Sequence, residues 1–162
     1  MPYALEHGCD ILMLDGTRGL GGSWPELEAG FDLTVLRDAI ALLRQLKKEE
    51  QIEVAYFGGI RSGTDAAKLI AMGCQLTVMG VSVGLAMGGN MDCGNSMEFL
   101  PDYSLDEYRE SALNFLSAGS GEASMMARGA GKTNIHSLEP EDLRSITLAT
   151  SQATGIPLIG TR

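Results

Sequence analysis

Residues 57–65 read Phe57-Gly58-Gly59-Ile60-Arg61-Ser62-Gly63-Thr64-Asp65, directly after the largely apolar run Ile52-Glu53-Val54-Ala55-Tyr56. A short apolar run that stops at a glycine pair has the length and flank of a buried strand. Ser62-Gly63-Thr64-Asp65 then has the form of a capping box that opens a helix over residues 62–72, ended by Gly73. The order is strand, glycine loop, helix. Paired glycines let backbone N–H groups approach an anion with no Cβ in the way, and the helix start behind them adds its positive pole. The expected ligand is a phosphate.

The same unit recurs on either side. Upstream, Asp10-Ile11-Leu12-Met13-Leu14-Asp15 reads as a fully buried parallel strand running into a Gly-rich loop. A helix over 33–49 follows behind an Asp32 cap, with Leu33, Leu36, Ala39, Ile40, Leu43 and Leu46 at helical spacing. Ala4 to Asp10 resembles the last turn of a helix with a glycine cap at Gly8, as if the chain began in mid-unit. Downstream, Leu76 to Met79 is a third strand, and Val78-Met79-Gly80-Val81-Ser82 is the second half of the phosphate site. In (β/α)₈ enzymes the loops after the last two strands commonly share one phosphate. Three strands joined by helices imply a parallel α/β sheet, open or closed.

Beyond Gly94 the chain turns helical. Tyr103 to Ala118 opens on a Ser104/Glu107 capping box, Glu141 to Thr154 follows Pro140, and Glu122 to His136, after Gly119-Ser120-Gly121, is read as partly helical.

The 162 residues, 44% hydrophobic and 20% charged, have the composition of a folded globular chain. A net charge of −9 with no basic run argues against nucleic acid as a partner. The three cysteines, Cys9, Cys74 and Cys93, fit neither a disulfide framework nor a zinc site, which points to a reducing, cytoplasmic setting. No basic segment leads into an apolar one near Met1, so no signal peptide is expected. The charge-free stretch Leu69 to Met91 is broken by Gly73, Gly80, Gly84, Gly88 and Gly89, and reads as a helix end, a strand and a Gly-rich loop instead of a membrane span. Gly129-Ala130-Gly131-Lys132-Thr133 lacks the first glycine and the preceding strand of a P-loop. His7 and His136 have no second ligand at helical spacing, so no metal site is expected.

Strand, Gly-Gly-Ile-Arg-Ser-Gly, helix, Ala71-Met72-Gly73-Cys74, strand and Gly80 together resemble the FMN-phosphate segment of glutamate synthases and related flavin barrels. Asp15-Gly16-Thr17-Arg18-Gly19-Leu20-Gly21-Gly22-Ser23-Trp24-Pro25 is similar to a glycine-rich loop of the same family, with Gly16, Gly19, Gly22 and Pro25 coinciding. The resemblance covers about residues 4–90. It implies a partial (β/α)₈ TIM barrel, about its last three β/α units, over 1–94, and a helical C-terminal extension over 95–162 that packs on the barrel. It also implies an FMN-binding module of a glutamate synthase-like oxidoreductase, forming glutamate from 2-oxoglutarate and ammonia or glutamine-derived nitrogen. Gly58, Gly59, Ile60, Arg61, Ser62, Gly80 and Val81 would hold the cofactor, and Asp15, Gly16, Gly19 and Gly22 would form a substrate loop.

Three departures stand against the family pattern. Phe57 replaces the usual acidic residue beside the ribityl chain. Cys93 alone lies where the family holds an iron–sulfur cluster on three cysteines, so no cluster is expected on this chain alone. The strands bearing the family's catalytic groups would lie upstream of Met1, leaving the catalytic residues unassigned. The expected partners are accordingly a small-molecule substrate and either a second chain with the missing barrel half or another copy. The alternatives are another phosphate-binding barrel, related to IMP dehydrogenase or the 2-hydroxy-acid oxidases, and a non-catalytic half-barrel that serves in binding or assembly.

Overall fold

The structure, a computed structural model, describes residues 2–17, 26, 30–92, 96–99 and 102–161. Strands β1 (Ile11–Asp15), β2 (Glu53–Phe57) and β3 (Leu76–Val78) form one parallel sheet in that order. Helix α1 (Pro2–Glu6) precedes the sheet, α2 (Thr34–Leu46) lies between β1 and β2, and α3 (Gly63–Ala71) between β2 and β3. After β3 come α4 (Val81–Ala86) and an antiparallel pair, β4 (Gly89–Met91) with β5 (Met97–Phe99). Then follow α5 (Leu105–Gly129), 3₁₀ turns at Ile135–Ser137 and Pro140–Asp142, and α6 (Leu148–Thr154). The class is α/β with parallel strands, as the sequence implies.

Local chemistry sets the element ends. Asp32 Oδ1 accepts from the Thr34 amide at 2.9 Å and from the Thr34 hydroxyl at 2.6 Å, which starts α2. Ser62 accepts from the Asp65 amide to start α3, and Gly73, at φ 112°, turns the chain out of it. Alternate residues of the sheet meet the helices. Val54 and Tyr56 are fully buried against Leu36, Leu43, Ile60 and Leu69, with Leu12 and Leu14 packed beside them.

The other face is open. Ile11 and Met13 are 55% and 58% exposed, Leu76 and Val78 44% and 36%. The reading of β1 as a fully buried strand is therefore corrected: among the described residues, helices cover one side only. Leu46, expected in the core, is exposed in the last turn of α2.

The C-terminal region departs further. The loop expected after Gly80 forms α4, and the two segments expected on either side of Gly119-Ser120-Gly121 are one 25-residue helix, α5. Glycine costs helix stability, yet here tertiary packing wins. A Cβ on Gly63 would run into the Gly119 carbonyl, so α3 and α5 touch backbone to backbone, and Ala67 and Ala71 pack on Ala123, Ala127 and Leu138. The helix expected over 141–154 shrinks to α6. Ser145 is drawn instead into a bridge with Leu158, with Ser145 N–Pro157 O at 2.9 Å and Ile159 N–Ser145 O at 2.8 Å. Arg37 ties α6 to α2 by donating from Nη1 to the Gln152 and Ala153 carbonyls, both at 2.9 Å. No helix among the described residues is long and apolar enough to cross a membrane.

The α3–α5 contact makes opposite predictions for its two glycines. Gly63→Ala should destabilise by about 1–3 kcal/mol, because the new methyl meets backbone that cannot give. Gly119→Ala, whose Cβ would stand 3.7 Å from Gly63 N, meets ordinary contact and should stabilise by up to about 1 kcal/mol through helix propensity. Urea unfolding of both variants against the parent chain checks the pair.

Tyr56 carries a second prediction. Burial foremost, then the charges of Asp32 and Asp15, push its phenol up to about 12, while its hydroxyl donates to the Asp32 carbonyl at 3.1 Å. A raised folded value favours the neutral form. Its stabilisation is complete below the unfolded value near 10 and is lost as pH rises towards 12, by up to about 2 kcal/mol. Tyr56→Phe should cost about 0.5–1.5 kcal/mol at neutral pH and flatten that alkaline loss. Denaturant midpoints measured at neutral and strongly alkaline pH decide it.

Candidate functional site

Asp15 pairs with Phe57 and Phe57 with Val78, so the three strands end in one row and the loops after them emerge side by side. This is the edge where ligands of parallel α/β proteins gather. The first loop starts under tight constraint. Gly16 N donates to Phe57 O at 2.9 Å, Gly16 O accepts from Asp32 N at 2.7 Å, and a Cβ on Gly16 would collide with the Tyr56 hydroxyl. Asp15 turns its carboxylate onto the Thr17 amide at 2.8 Å and the Thr17 hydroxyl at 2.7 Å, so it caps its own loop. Gly19 and Gly22 lie outside the described residues.

The second and third loops converge. Gly58 and Gly59 both have positive φ, 125° and 69°. With the backbone so turned, the Gly59 amide donates to Glu26 Oε1 at 3.1 Å, and the Val81 amide donates to Glu26 Oε2 at 2.7 Å. One carboxylate thus bridges the two glycine loops. The cradle has no room for side chains: a Cβ on Gly59 would enter the Phe31 ring, and one on Gly80 would strike Glu26 Oε2.

A cavity of about 650 Å³ opens on this cradle, lined among others by Glu26, Phe31, Ile60, Val81, Ser82 and Phe115. Its size is that of a small-molecule site. Ser82 is one of the lining residues, and its Oγ is buried with no hydrogen-bond partner among the described residues.

The other expected residues divide. Ile60 is a core anchor, 2% exposed. Ser62 caps α3. Arg61 also lines the cavity, its side chain 79% exposed and its Nε donating to Asp65 Oδ2 at 3.0 Å. Burial works against charge on Asp65, but the Arg61 hydrogen bond and the charges of Arg61 and Lys68 outweigh it and hold the carboxyl below its usual range. The start of α3, whose positive pole was expected to help, is engaged by a carboxylate: Gly63 N donates to Glu122 Oε2 at 3.0 Å, and the Thr64 hydroxyl donates to the same group. Gly59, Gly80 and Val81 therefore form the cradle, with Gly58 setting its turn.

Glu26, Phe31 and Phe115 were not singled out from the sequence as site residues, whereas Ser82 lay in the second glycine segment. The available signal was positional, since Glu26 and Phe31 fall between the first strand and its helix, in a loop bound for the same sheet edge. Among the described residues no cluster of His, Cys, Asp and Glu could hold a metal ion. Burial pushes the Cys74 thiol up to about 12, so on its own it is a neutral thiol at neutral pH, and Cys93 lies outside the described residues. Lys132, from the P-loop-like stretch, faces Glu139 at 3.4 Å and Asp142 at 3.8 Å.

No family model matches the chain. It is 27% identical to a glutamate synthase large subunit-like protein of Rhizobium meliloti (strain 1021), over 98% of this chain and 43% of that protein. It is 29% identical to an archaeal-type glutamate synthase [NADPH] of Thermotoga sp. (strain RQ2), over 52% of this chain and 18% of that one. In fold it matches a mutant flavocytochrome b2 with pyruvate bound, with TM-score 0.66 and 21% identity over 96% of this chain and 34% of that one. The chain spans less than half the length of each. It is a homologue of glutamate synthase-like proteins, with an α/β fold resembling part of flavocytochrome b2.

Proposed function

We propose that this chain is the FMN-phosphate-binding module of a glutamate synthase-like oxidoreductase. The observation that carries the reading is the convergence of the Gly59 and Val81 amides, from two successive loops, on one pair of anionic oxygens. Two N–H groups fixed on rigid strand ends, with glycines where a Cβ would intrude, have the donor chemistry a phosphate requires. Ser82 borders the same cavity, with its hydroxyl buried behind the lining. Bound FMN would supply hydride chemistry, while the chain's part is to hold the cofactor's phosphate end and exclude water around it. The fit is worse towards the ribityl end. Phe57 stands where the resemblance expects an acidic residue, so position 57 offers an aromatic edge and no acceptor to the ribityl chain.

The relatives named glutamate synthase support 2-oxoglutarate amination as the reaction, and the flavocytochrome holding pyruvate supports a 2-oxo acid as the substrate class. The open sheet face supports the second half of the proposal. Ile11, Met13, Leu76 and Val78 lie on the two strands that form the sheet's edges among the described residues. The barrel is completed there by strands of a further chain or of another copy, and residues 95–162 serve as the helical extension of residues 1–94.

Two tests follow. FMN titrations should show Gly59→Val and Val81→Pro weakening FMN at least about tenfold, the scale of one lost hydrogen bond to a charged group. Riboflavin, which lacks the phosphate, should bind all three proteins alike. Proline is tolerated at the first position of a helix, so Val81→Pro removes the donor, and unchanged riboflavin binding checks that the Gly80 backbone, at ψ −83°, has accommodated it. Equal FMN affinity in all three rejects the site. The exposed sheet face should also drive concentration-dependent association of the isolated chain, which Met13→Asp reduces. Light scattering that finds the parent chain monomeric at every concentration rejects the open-face reading.

A further inference from the structure

The cradle already holds an anion of the chain's own. Both Glu26 oxygens are engaged, Oε1 by the Gly59 amide and Oε2 by the Val81 amide, and they occupy the position that the proposed function gives to phosphate oxygens. Two negative groups cannot share two N–H donors. We propose that Glu26 is an affinity-setting residue of this site, an internal carboxylate that any phosphate-bearing ligand must displace from the cradle. The inference rests on the phosphate reading above and goes beyond it by naming what holds down the site's affinity for phosphate-bearing ligands.

Three observations carry it. Glu26 contacts the two loops through backbone amides, so its engagement asks nothing of side-chain identity and competes for the donors themselves. Arg61, the nearest cation in the motif, is tied to Asp65 and does not hold Glu26 in place. The cavity beside the cradle is lined by Glu26 itself, so a carboxylate that leaves the amides has open space next to it. The apparent affinity of a ligand that binds only the open form is its intrinsic affinity reduced by the fraction of time the cradle stands open.

The test compares the parent chain with Glu26→Gln and Glu26→Ala, using FMN and riboflavin as probes in calorimetric or fluorescence titrations. If the cradle is open about a tenth of the time, both variants bind FMN about tenfold more tightly than the parent, while riboflavin affinity stays the same. Amide hydrogen exchange gives an independent readout. Without ligand, the Val81 amide should exchange faster in Glu26→Ala than in the parent, and FMN should restore its protection. Equal FMN affinity in all three proteins, with binding intact, overturns the role of Glu26 and leaves the phosphate site standing. Weaker FMN binding in the variants also overturns it, because Glu26 would then support the ligand. Failure of all three proteins to bind FMN overturns the phosphate reading and this inference together.

Discussion

Asp15, Phe57 and Val78 stand side by side in one parallel row, and parallel strands can be joined only by a connection that crosses from one end of the sheet to the other. Each return trip is made by a helix, α2 or α3, so every strand in this sheet delivers its following loop to the same edge. That constraint, and no direct interaction between residues 16, 58 and 80, brings three glycine-rich segments of distant sequence together. Tyr56 then locks the arrangement. Its ring fills the space that a Gly16 side chain would need, and its hydroxyl ties down the Asp32 carbonyl where the first loop rejoins α2.

Charge is handled unusually for a site built for an anion. The chain carries a formal −9, and the amides of the second and third loops and of the start of α3 are met by carboxylates from distant sequence: Glu26 at the cradle and Glu122 at α3. Each contact satisfies donors that would otherwise be left unpaired in a partly buried setting. The two differ in setting. Glu122 belongs to α5, which is packed on α3 through Ala123 and Ala127, so its carboxylate is held in place by the helix contact. Glu26 belongs to the stretch between β1 and α2 and borders a cavity.

Much of the fold was legible because its signals are local. Apolar runs ending at Gly16, Gly58 and Gly80, the Asp32 and Ser62 caps and the Gly73 stop each declare themselves within a few residues. The failures share a cause in the third dimension. Gly119 and Gly121 read as a break, but Gly119 instead lets two helices meet backbone to backbone at Gly63, a partner 56 positions away that no local rule connects. The stretch 141–147 has helical spacing yet is claimed by the bridge between Ser145 and Leu158. The cradle was half legible. Its glycines were visible, whereas Glu26 was not, because the contact depends on where a long loop returns and not on any spacing. Arg61 shows the converse, a motif residue whose charge goes to its own helix through Asp65.

The first loop also bears on what kind of ligand the site can keep. Both its ends are held, at Gly16 by Phe57 and at Asp32 by Gly16 and Tyr56, so Glu26 is tethered close to the amides it meets. A tethered group competes as though present at roughly millimolar concentration. Displacing it lowers the affinity of every anion that needs the cradle by the same factor, so affinity ratios do not change. Occupancy does. A ligand gripped by the two amides alone falls below useful affinity, while one that also fills the apolar cavity beside Phe31 and Phe115 keeps enough to bind. Such a site leaves inorganic phosphate and small phosphate esters too weakly bound to occupy it: Glu26 lowers the affinity of all such anions alike, and the apolar cavity supplies the difference between them.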